Sequence, residues 1–345
     1  MMKTVRAEGH GPAANRGIAM VSSDAHVMEP DEIWDALPQR LRESLPKISF
    51  GEAPAGGSDP RARVADQDID GVAAEILFPN YCMALFGVED VELQQAAFKI
   101  YNDWVADFCR AHPRRLFGVP CISLYDVEAG IAELQRASDL GLKGAMIWQV
   151  PDPRLPFTSD HYERFWSAAA ELGAPVNCHI LTGHSYAKAL TKPQGPERVR
   201  QAVNQKTDDT IRTLFDLVFS GVFDRHPKLK VVLAESEIGW APFVLQQWDY
   251  YWDRYGGAEK LAPSLPPSEV VEDHVYLTFI DDYAGTRNLA WWGQTNCMWS
   301  NDYPHFNMSF PHSLANVEHH LGGLPDDVRR RLLRDNAVEL YGLPL

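Results

Sequence analysis

The chain has 345 residues, of which 45% are hydrophobic and 23% charged, and its formal net charge is −15 with histidine neutral. This composition is typical of a globular protein and excludes disordered, fibrous and small disulfide-stapled classes. The acidic balance argues against a nucleic-acid or anionic-membrane partner, because phosphate binding requires clustered lysine and arginine. A small anionic substrate is still compatible with it, since one local arginine or metal ion can outweigh the net field.

The five cysteines are odd in number, widely spaced and without a CxxC pair. They predict reduced thiols and a cytoplasmic protein. Residues 1–17 lack the apolar stretch of a secretory signal and are interpreted as a flexible N-terminal arm before one domain spanning 18–345. No apolar run approaches the length of a transmembrane helix, so no membrane span is expected.

Short apolar runs alternate with longer amphipathic stretches along the chain. The continuous apolar pattern predicts parallel strands that are covered on both faces. In chain order the predicted strands are Ile18–Ser22, Ala73–Phe78, Phe117–Ile122, Gly144–Trp148, Val176–Ile180, Lys230–Ala234, Val275–Phe279 and Cys297–Ser300. The clearest helical stretches between them are Val91–His112, Val127–Leu140, His161–Leu172, Thr207–Ser220 and Asp326–Tyr341.

Eight strand–helix units in one chain predict an α/β fold, a distorted (β/α)8 TIM barrel. A doubly wound sheet is the alternative, but no GxGxxG follows any strand. Three regions interrupt the pattern, and we expect 29–66 to be a long mobile insertion and 183–206 and 248–270 to be long connections. The aromatic segment 248–255 is predicted to be core or a subunit interface, with a substrate wall as the alternative.

Side chains of the metal-ligating type fall at the ends of several predicted strands. Asp24 and His26 follow the first strand, His179 ends the fifth, Glu235 ends the sixth and Asp302 ends the eighth. Each alone has a simpler explanation, as a hydrogen-bonded histidine or a helix-capping aspartate. In a barrel, however, these strand ends meet at one mouth, where barrel enzymes place their sites. Together they predict a nitrogen- and oxygen-rich site suited to Zn²⁺, Mn²⁺ or Fe²⁺.

Four motifs resemble those of the amidohydrolase superfamily. They are DAHVMEP at 24–30, NCH at 177–179, FDRHPKLKVVLAESEIGWAP at 223–242 and WSNDYPH at 299–305. The similarity is to the amidohydrolase-2 branch, which includes aminocarboxymuconate-semialdehyde decarboxylase and γ-resorcylate decarboxylase. It implies a distorted (β/α)8 barrel with one divalent metal ion, held by Asp24, His26, His179 and Asp302.

Two positions depart from that resemblance. Many relatives begin the first motif with histidine or glutamate, whereas this chain has Asp24, which slightly favours harder metals such as Mn²⁺. Many decarboxylases of the branch carry a histidine at the end of the sixth strand, where this chain has Glu235. Zinc is the expected ion, with manganese and iron as alternatives.

The departure at Glu235 narrowly favours hydrolysis by a metal-activated water, with Asp302 as the base and Glu235 as a second base or proton shuttle. Glu235 could equally orient a ligand histidine. The alternative is a metal-dependent, non-oxidative decarboxylase in which Asp302 protonates the substrate ring. A catalytically inactive metal- or ligand-binding barrel is the third interpretation.

Either reaction would use a small substrate that is aromatic or carries a carboxylate. His305 lies three residues beyond Asp302 and is a candidate to orient it, and Trp148 is a candidate aromatic wall. Candidate cations for a substrate carboxylate are Arg61, Arg63 and Arg287. The aromatic segment and the long connections also predict a homodimer or a higher homo-oligomer.

Overall fold

The structure, a computed structural model, describes residues 17–48, 53–184 and 194–345. The predicted N-terminal arm therefore lies, apart from Gly17, outside the described residues. The apolar runs form short strands that are buried almost throughout. These are β1 (Met20–His26), β2 (Val72–Phe78), β3 (Leu116–Gly118), β4 (Ala145–Ile147), β5 (Val176–His179), β6 (Val231–Ala234), β7 (Val275–Phe279) and β8 (Cys297–Trp299).

The strands are ordered as they occur in the chain, in parallel runs β1–β3 and β4–β8. Backbone hydrogen bonds from Met146 N to Pro120 O (2.8 Å) and from Ile122 N to Met146 O (2.9 Å) join the two runs. On the other side, Asp302 N donates to Asp24 O at 3.0 Å and links the end of β8 to β1. The predicted distorted (β/α)8 barrel is confirmed.

Helices surround the barrel and fill its connections. The α-helices are α1 (Gln39–Glu43), α2 (Pro60–Asp70), α3 (Tyr81–Leu85), α4 (Val91–Arg110), α5 (Val127–Asp139), α6 (Glu163–Leu172), α7 (Pro196–Arg200), α8 (Lys206–Phe219), α9 (Val222–Arg225), α10 (Ala241–Glu259), α11 (Pro267–His274), α12 (Tyr283–Thr286), α13 (Ser313–Leu321), α14 (Asp326–Arg330) and α15 (Asn336–Tyr341). Turns of 3₁₀-helix lie at Asp31–Ala36, Ala55–Gly57 and Asp160–Tyr162, and π-helical turns at Gln201–Gln205 and Arg331–Asp335.

Aspartate side chains fix where three of these helices begin. Asp59, Asp90 and Asp126 each accept hydrogen bonds from backbone N–H groups in the first turn of α2, α4 and α5. Such caps satisfy donors that have no partner inside the helix. Gly71 ends α2 with φ of 76°, a left-handed conformation that glycine adopts without a steric penalty. The chain therefore enters β2 directly after α2.

Two predicted long loops contain regular structure instead. Within 29–66 the described residues form the turns 31–36 and 55–57, helix α1 and the start of α2, so this insertion contains regular structure that the sequence analysis did not predict. Segment 248–270 is mostly covered by the end of α10 and the start of α11. Proline and glycine misled the prediction, because Pro60 and Pro267 stand in the first turn of a helix, where a missing N–H costs nothing.

In the part of the chain that the structure describes, no helix is long and apolar enough to cross a membrane. The five cysteines are buried and unbridged, as predicted.

Candidate metal centre

Asp24 and His26 lie within β1 rather than after it, and both are fully buried. The strand extends four residues beyond the predicted end at Ser22 and includes these polar residues. The Nδ1 of His26 donates to Pro79 O at 2.8 Å. Its Nε2 is thereby left with a lone pair, 3.4 Å from Asp24 Oδ1 and 3.5 Å from Asp302 Oδ1.

His179 is the last residue of β5 and is held in the same way. Its Nδ1 donates to the backbone oxygen of Ile180 at 2.9 Å. Its Nε2 lies 3.4 Å from Asp24 Oδ1 and 3.9 Å from Glu235 Oε2. A carbonyl acceptor on Nδ1 fixes both the ring orientation and the tautomer, which is the usual arrangement behind a metal-binding histidine.

Asp302 and Glu235 both have left-handed backbone conformations. Asp302 lies three residues beyond β8 with φ of 52°, and Glu235 follows β6 directly with φ of 54°. The N–H of Glu235 donates to Thr278 Oγ1 at 2.7 Å. Non-glycine residues in this region are strained and cluster where a site needs a side chain aimed in a particular direction. Here the turn brings both carboxylates towards the histidines.

Five buried polar atoms of this group have no hydrogen-bond partner among the described residues. They are Asp24 Oδ1, His26 Nε2, His179 Nε2 and both carboxylate oxygens of Asp302. Buried polar atoms are normally paired, so this concentration of unpaired atoms calls for a ligand. Atoms that bind one ion at about 2.0–2.2 Å lie roughly 3–4 Å apart, as the pairs from Asp24 to the two histidines do. The donor set therefore fits a divalent ion of the zinc, manganese or iron type.

The pKa values of the two histidines are shifted in opposite directions. Burial and the stacked His305, at 3.8 Å between ring centroids, lower the pKa of His26 to about 4. Burial also opposes charge on His179, but Asp24 outweighs it and raises the pKa of His179 to about 9. Burial would raise the pKa of Asp24, yet the adjacent histidines lower it. Asp24 is therefore held ionised and His26 neutral, as metal ligands must be, whereas His179 has to lose a proton to bind an ion.

The carboxylates on the outer side of the group behave differently from each other. Burial raises the pKa of Asp302, and the negative charge of Glu235 adds to the effect. Burial acts in the same direction on Glu235, but the ammonium of Lys206 and then His179 lower its pKa overall. Asp302 is therefore the carboxyl group more easily kept protonated, and Glu235 the one held ionised.

The structure brings some predicted substrate-binding residues to this group and leaves others away from it. His305 Nδ1 is 3.0 Å from Asp302 Oδ1, and its Nε2 is 3.0 Å from Asn80 Oδ1. Trp148 is buried and packs edge-on against Tyr125, with 5.0 Å between ring centroids.

The three arginines have partners elsewhere or are exposed. Arg61 is exposed on α2, and Arg287 is exposed and lies over the ring of Tyr283. Arg63 is fully buried and ion-paired with Glu75. None of the hydrogen bonds and ion pairs described for these three guanidinium groups involves the side chain of a predicted metal ligand or of Glu235.

Lys206 and Thr278 are the residues that the sequence analysis missed. Lys206 Nζ donates to Glu235 Oε1 at 2.9 Å, and Thr278 Oγ1 lies 3.3 Å from Asp24 Oδ2. Thr278 stands in β7 at a position with no charge to attract notice. Lys206 is the last residue of the predicted long connection 183–206 and the first residue of α8, and no motif marked it.

Comparison with known proteins identifies the family of this chain. The model of the amidohydrolase family matches residues 24–343. The chain belongs to the amidohydrolase family. It is an enzyme of that superfamily, a hydrolase or a carboxy-lyase, so the inactive barrel is the least supported of the three interpretations.

The curated relatives that match are distant and cover nearly the whole chain. A γ-resorcylate decarboxylase from Rhizobium sp. (strain MTP-10005) is 25% identical over 91% of this chain and 92% of its own. The 2-amino-3-carboxymuconate-6-semialdehyde decarboxylase of Dictyostelium discoideum is 22% identical over 85% of this chain and 79% of its own.

Solved structures support the same fold. The 5-carboxyvanillate decarboxylase of Sphingomonas paucimobilis has a TM-score of 0.72 at 21% identity, covering 95% of this chain and 100% of that one. A dihydroxybenzoic acid decarboxylase from Polaromonas sp. JS666, described with bound manganese and the inhibitor 2-nitroresorcinol, has a TM-score of 0.71 at 20% identity, covering 95% and 98%.

Proposed function

We propose that this enzyme is a metal-dependent, non-oxidative decarboxylase of a small hydroxylated aromatic acid. The observation that carries the proposal is the cluster of unpaired buried atoms on Asp24, His26, His179 and Asp302, in a chain whose matched curated relatives are named decarboxylases. These four residues would hold the ion. When bound, a divalent ion supplies the positive charge that holds and polarises substrate oxygens.

The environment of Glu235 favours decarboxylation over hydrolysis. A general base must be free to take a proton, with a pKa near the working pH. Glu235 Oε1 already accepts a hydrogen bond from Lys206 Nζ at 2.9 Å, and the ammonium lowers its pKa. A paired carboxylate of this kind is a weak base, so the departure from histidine at this position no longer supports an activated water.

The reaction itself requires one proton at the ring. The bond between the ring carbon and the carboxylate carbon breaks, CO₂ leaves, its electron pair stays on the ring carbon, and a proton takes its place there. Asp302 carries that proton on a carboxyl oxygen. His305 lies 3.0 Å from Asp302 with 24% of its side chain exposed, and it returns a proton from solvent after each turnover.

The identity of the ion is part of the proposal. Zinc, the ion expected from the sequence, remains one candidate. Manganese is favoured because Asp24 and Asp302 both supply oxygen ligands beside the two histidine nitrogens. The manganese described in the Polaromonas neighbour supports the same choice.

A direct assay separates the two reactions. The protein is stripped with a chelator, reloaded with Mn²⁺, Zn²⁺ or Fe²⁺, and tested for CO₂ release from hydroxybenzoic acids beside hydrolysis of amides, esters and lactones. We expect CO₂ release that depends on the added ion. Metal-dependent hydrolysis without CO₂ release from any aromatic acid would reverse the assignment.

We also propose that residues 18–345 act as one catalytic domain that self-associates. Helix α10 exposes Tyr250, Tyr251 and Tyr255 to 56%, 49% and 47%, more aromatic surface than a monomer usually leaves open. A homodimer is the expected state, and sedimentation of a single 38.8 kDa species at micromolar concentration would contradict it. The cytoplasmic location remains a prediction.

A further inference from the structure

We propose that Lys206 is the residue that binds the carboxylate of the substrate, with Glu235 holding the ammonium in place until the substrate arrives. This inference rests on the proposed function, since it assigns the cation that an aromatic acid would meet beside the metal centre. The sequence offered Arg61, Arg63 and Arg287 for this role, and the structure leads to a different residue.

The position of Lys206 is the first argument. Its Nζ lies 2.9 Å from Glu235 Oε1, while the other oxygen of Glu235 lies 3.9 Å from His179 Nε2. Glu235 also offers an oxygen within 4.8 Å of ligand atoms of His26 and Asp302. The carboxylate of Glu235 therefore lies between the ammonium of Lys206 and the metal centre. The gap is about as wide as one carboxyl group, so a substrate carboxylate in that place contacts both.

The unused capacity of the ammonium is the second argument. A lysine ammonium has three N–H donors, and one of them goes to Glu235. Glu235 is the partner shown for Nζ within the ranges that the structure describes. The Lys206 side chain is 19% exposed, compared with 8% for Glu235, so it forms the solvent-facing side of the pair.

Charge balance is the third argument. With a divalent ion in place and Asp302 carrying the proton for the ring, the two positive charges are cancelled by Asp24 and Glu235. Lys206 then adds one positive charge to receive the substrate carboxylate, which matters in a chain of net charge −15 that repels anions overall.

The three arginines predicted for this role show no contact with the site that would supply this charge. Arg63 is committed to Glu75, and Arg61 and Arg287 are exposed. Lys206, in contrast, forms an ion pair with Glu235, whose other oxygen faces His179.

The test is a binding cycle with acids and their uncharged amides. Salicylate and 2,6-dihydroxybenzoate, each beside its benzamide, are titrated into the metal-loaded protein by calorimetry, and CO₂ and metal content are measured on the same samples. The variants are Lys206→Met, Lys206→Arg, Glu235→Gln and the double variant Lys206→Met/Glu235→Gln. Lys228→Met, an exposed lysine before β6 at the opposite end of the barrel, is the matched control.

We expect Lys206→Met to weaken binding of the acids by about 10- to 100-fold, because a charged hydrogen bond is lost, and to leave binding of the amides and the metal content unchanged. Lys206→Arg should recover much of the affinity, and Lys228→Met should behave as wild type. Glu235→Gln should keep or tighten acid binding, since it frees the ammonium. In the double variant acid binding should remain weak.

Three results would overturn the inference. The first is that Lys206→Met binds the acids as tightly as wild type does. The second is that the double variant recovers wild-type affinity, which would reduce Lys206 to a charge partner of Glu235. The third is that the wild type binds acids and amides equally, or binds neither. The proposed function fails separately, if the wild-type protein binds the acids through Lys206 and releases no CO₂.

Discussion

Two buried polar clusters lie side by side at the mouth of the barrel, and they differ in whether their atoms are paired. The first is the Arg63 cluster, Arg63 with Glu75 and their partners. Arg63 and Glu75 are almost fully buried, Arg63 Nη1 donates to His26 O at 2.7 Å, and Asn301 Nδ2 donates to Glu75 Oε1 at 3.2 Å. The second is the metal-ligand group, Asp24, His26, His179 and Asp302, whose inward atoms accept or donate no hydrogen bond in the described chain, although His305 Nδ1 lies 3.0 Å from Asp302 Oδ1.

The difference shows how to separate structural from functional polarity in a barrel. Burial of charge is costly in both clusters. In the Arg63 cluster, hydrogen bonds and an ion pair with other protein atoms compensate for the burial of charge. The cluster therefore holds the loops after β1 and β8 in place. In the metal-ligand group the donors are left unpaired, which is favourable only when a ligand completes them. Two equally buried polar clusters can therefore have different roles, one structural and one functional. Whether the polar atoms of a cluster are paired decides which role it has.

The largest expected effect is on catalysis. Asp302→Asn keeps the shape of the side chain and one oxygen but cannot carry the proton. We expect turnover to fall on the order of 10²–10⁴-fold, while the circular dichroism spectrum and the melting temperature of the metal-free protein stay close to wild type. Turnover within a few-fold of wild type would show that Asp302 does not transfer the proton.

The Arg63 cluster should respond in stability instead. Arg63→Met leaves Glu75 as an uncompensated buried charge, which typically costs about 3–5 kcal/mol of unfolding free energy. Chemical denaturation measures this. As a control, the double variant Arg63→Met/Glu75→Gln should recover part of the loss, and a single variant as stable as wild type would contradict the assignment of this cluster to structure.

Removal of one metal ligand should sharpen the contrast. His179→Ala should abolish most metal binding, read by metal analysis after dialysis, and leave the unfolding free energy of the metal-free protein nearly unchanged. Wild type should gain about 2.7 kcal/mol from metal at 100 times its dissociation constant, and the variant should gain little. Equal metal stabilisation of both proteins would place the ion elsewhere.

The smallest effect concerns Glu237, a partly buried carboxyl group that follows β6. Burial and the neighbouring Asp282 raise its pKa to about 8, and it accepts a hydrogen bond from Ile280 N at 3.2 Å. A pKa raised in the folded state gives stability that is complete below the unfolded pKa and lost as pH rises through 8.

Glu237→Gln should therefore match wild type near pH 4 and become progressively more stable than wild type as pH approaches 8. Thermal unfolding at pH 4, 6 and 8 checks the trend. A gap that does not widen with pH would show that the carboxyl group ionises freely in the fold.

Much of the site was predictable from the sequence because it lies on strands. Polar residues at the ends of apolar runs, such as His179 and Asp302, must face the barrel mouth once the strands are parallel. The same reasoning placed Asp24 and His26 together, although they lie within β1 and not beyond it. Strand periodicity is local, so it survives without knowledge of the fold.

What only the tertiary structure decided is how the charged side chains pair. Lys206 and Glu235 are 29 residues apart, and Asn301 and Glu75 are 226 apart. No spacing rule relates such residues, since their contact depends on where the connections between strands cross the barrel mouth. The sequence therefore determined which residues could bind a metal ion. Folding decided which cation pairs with Glu235, and which arginine is already committed to another carboxylate.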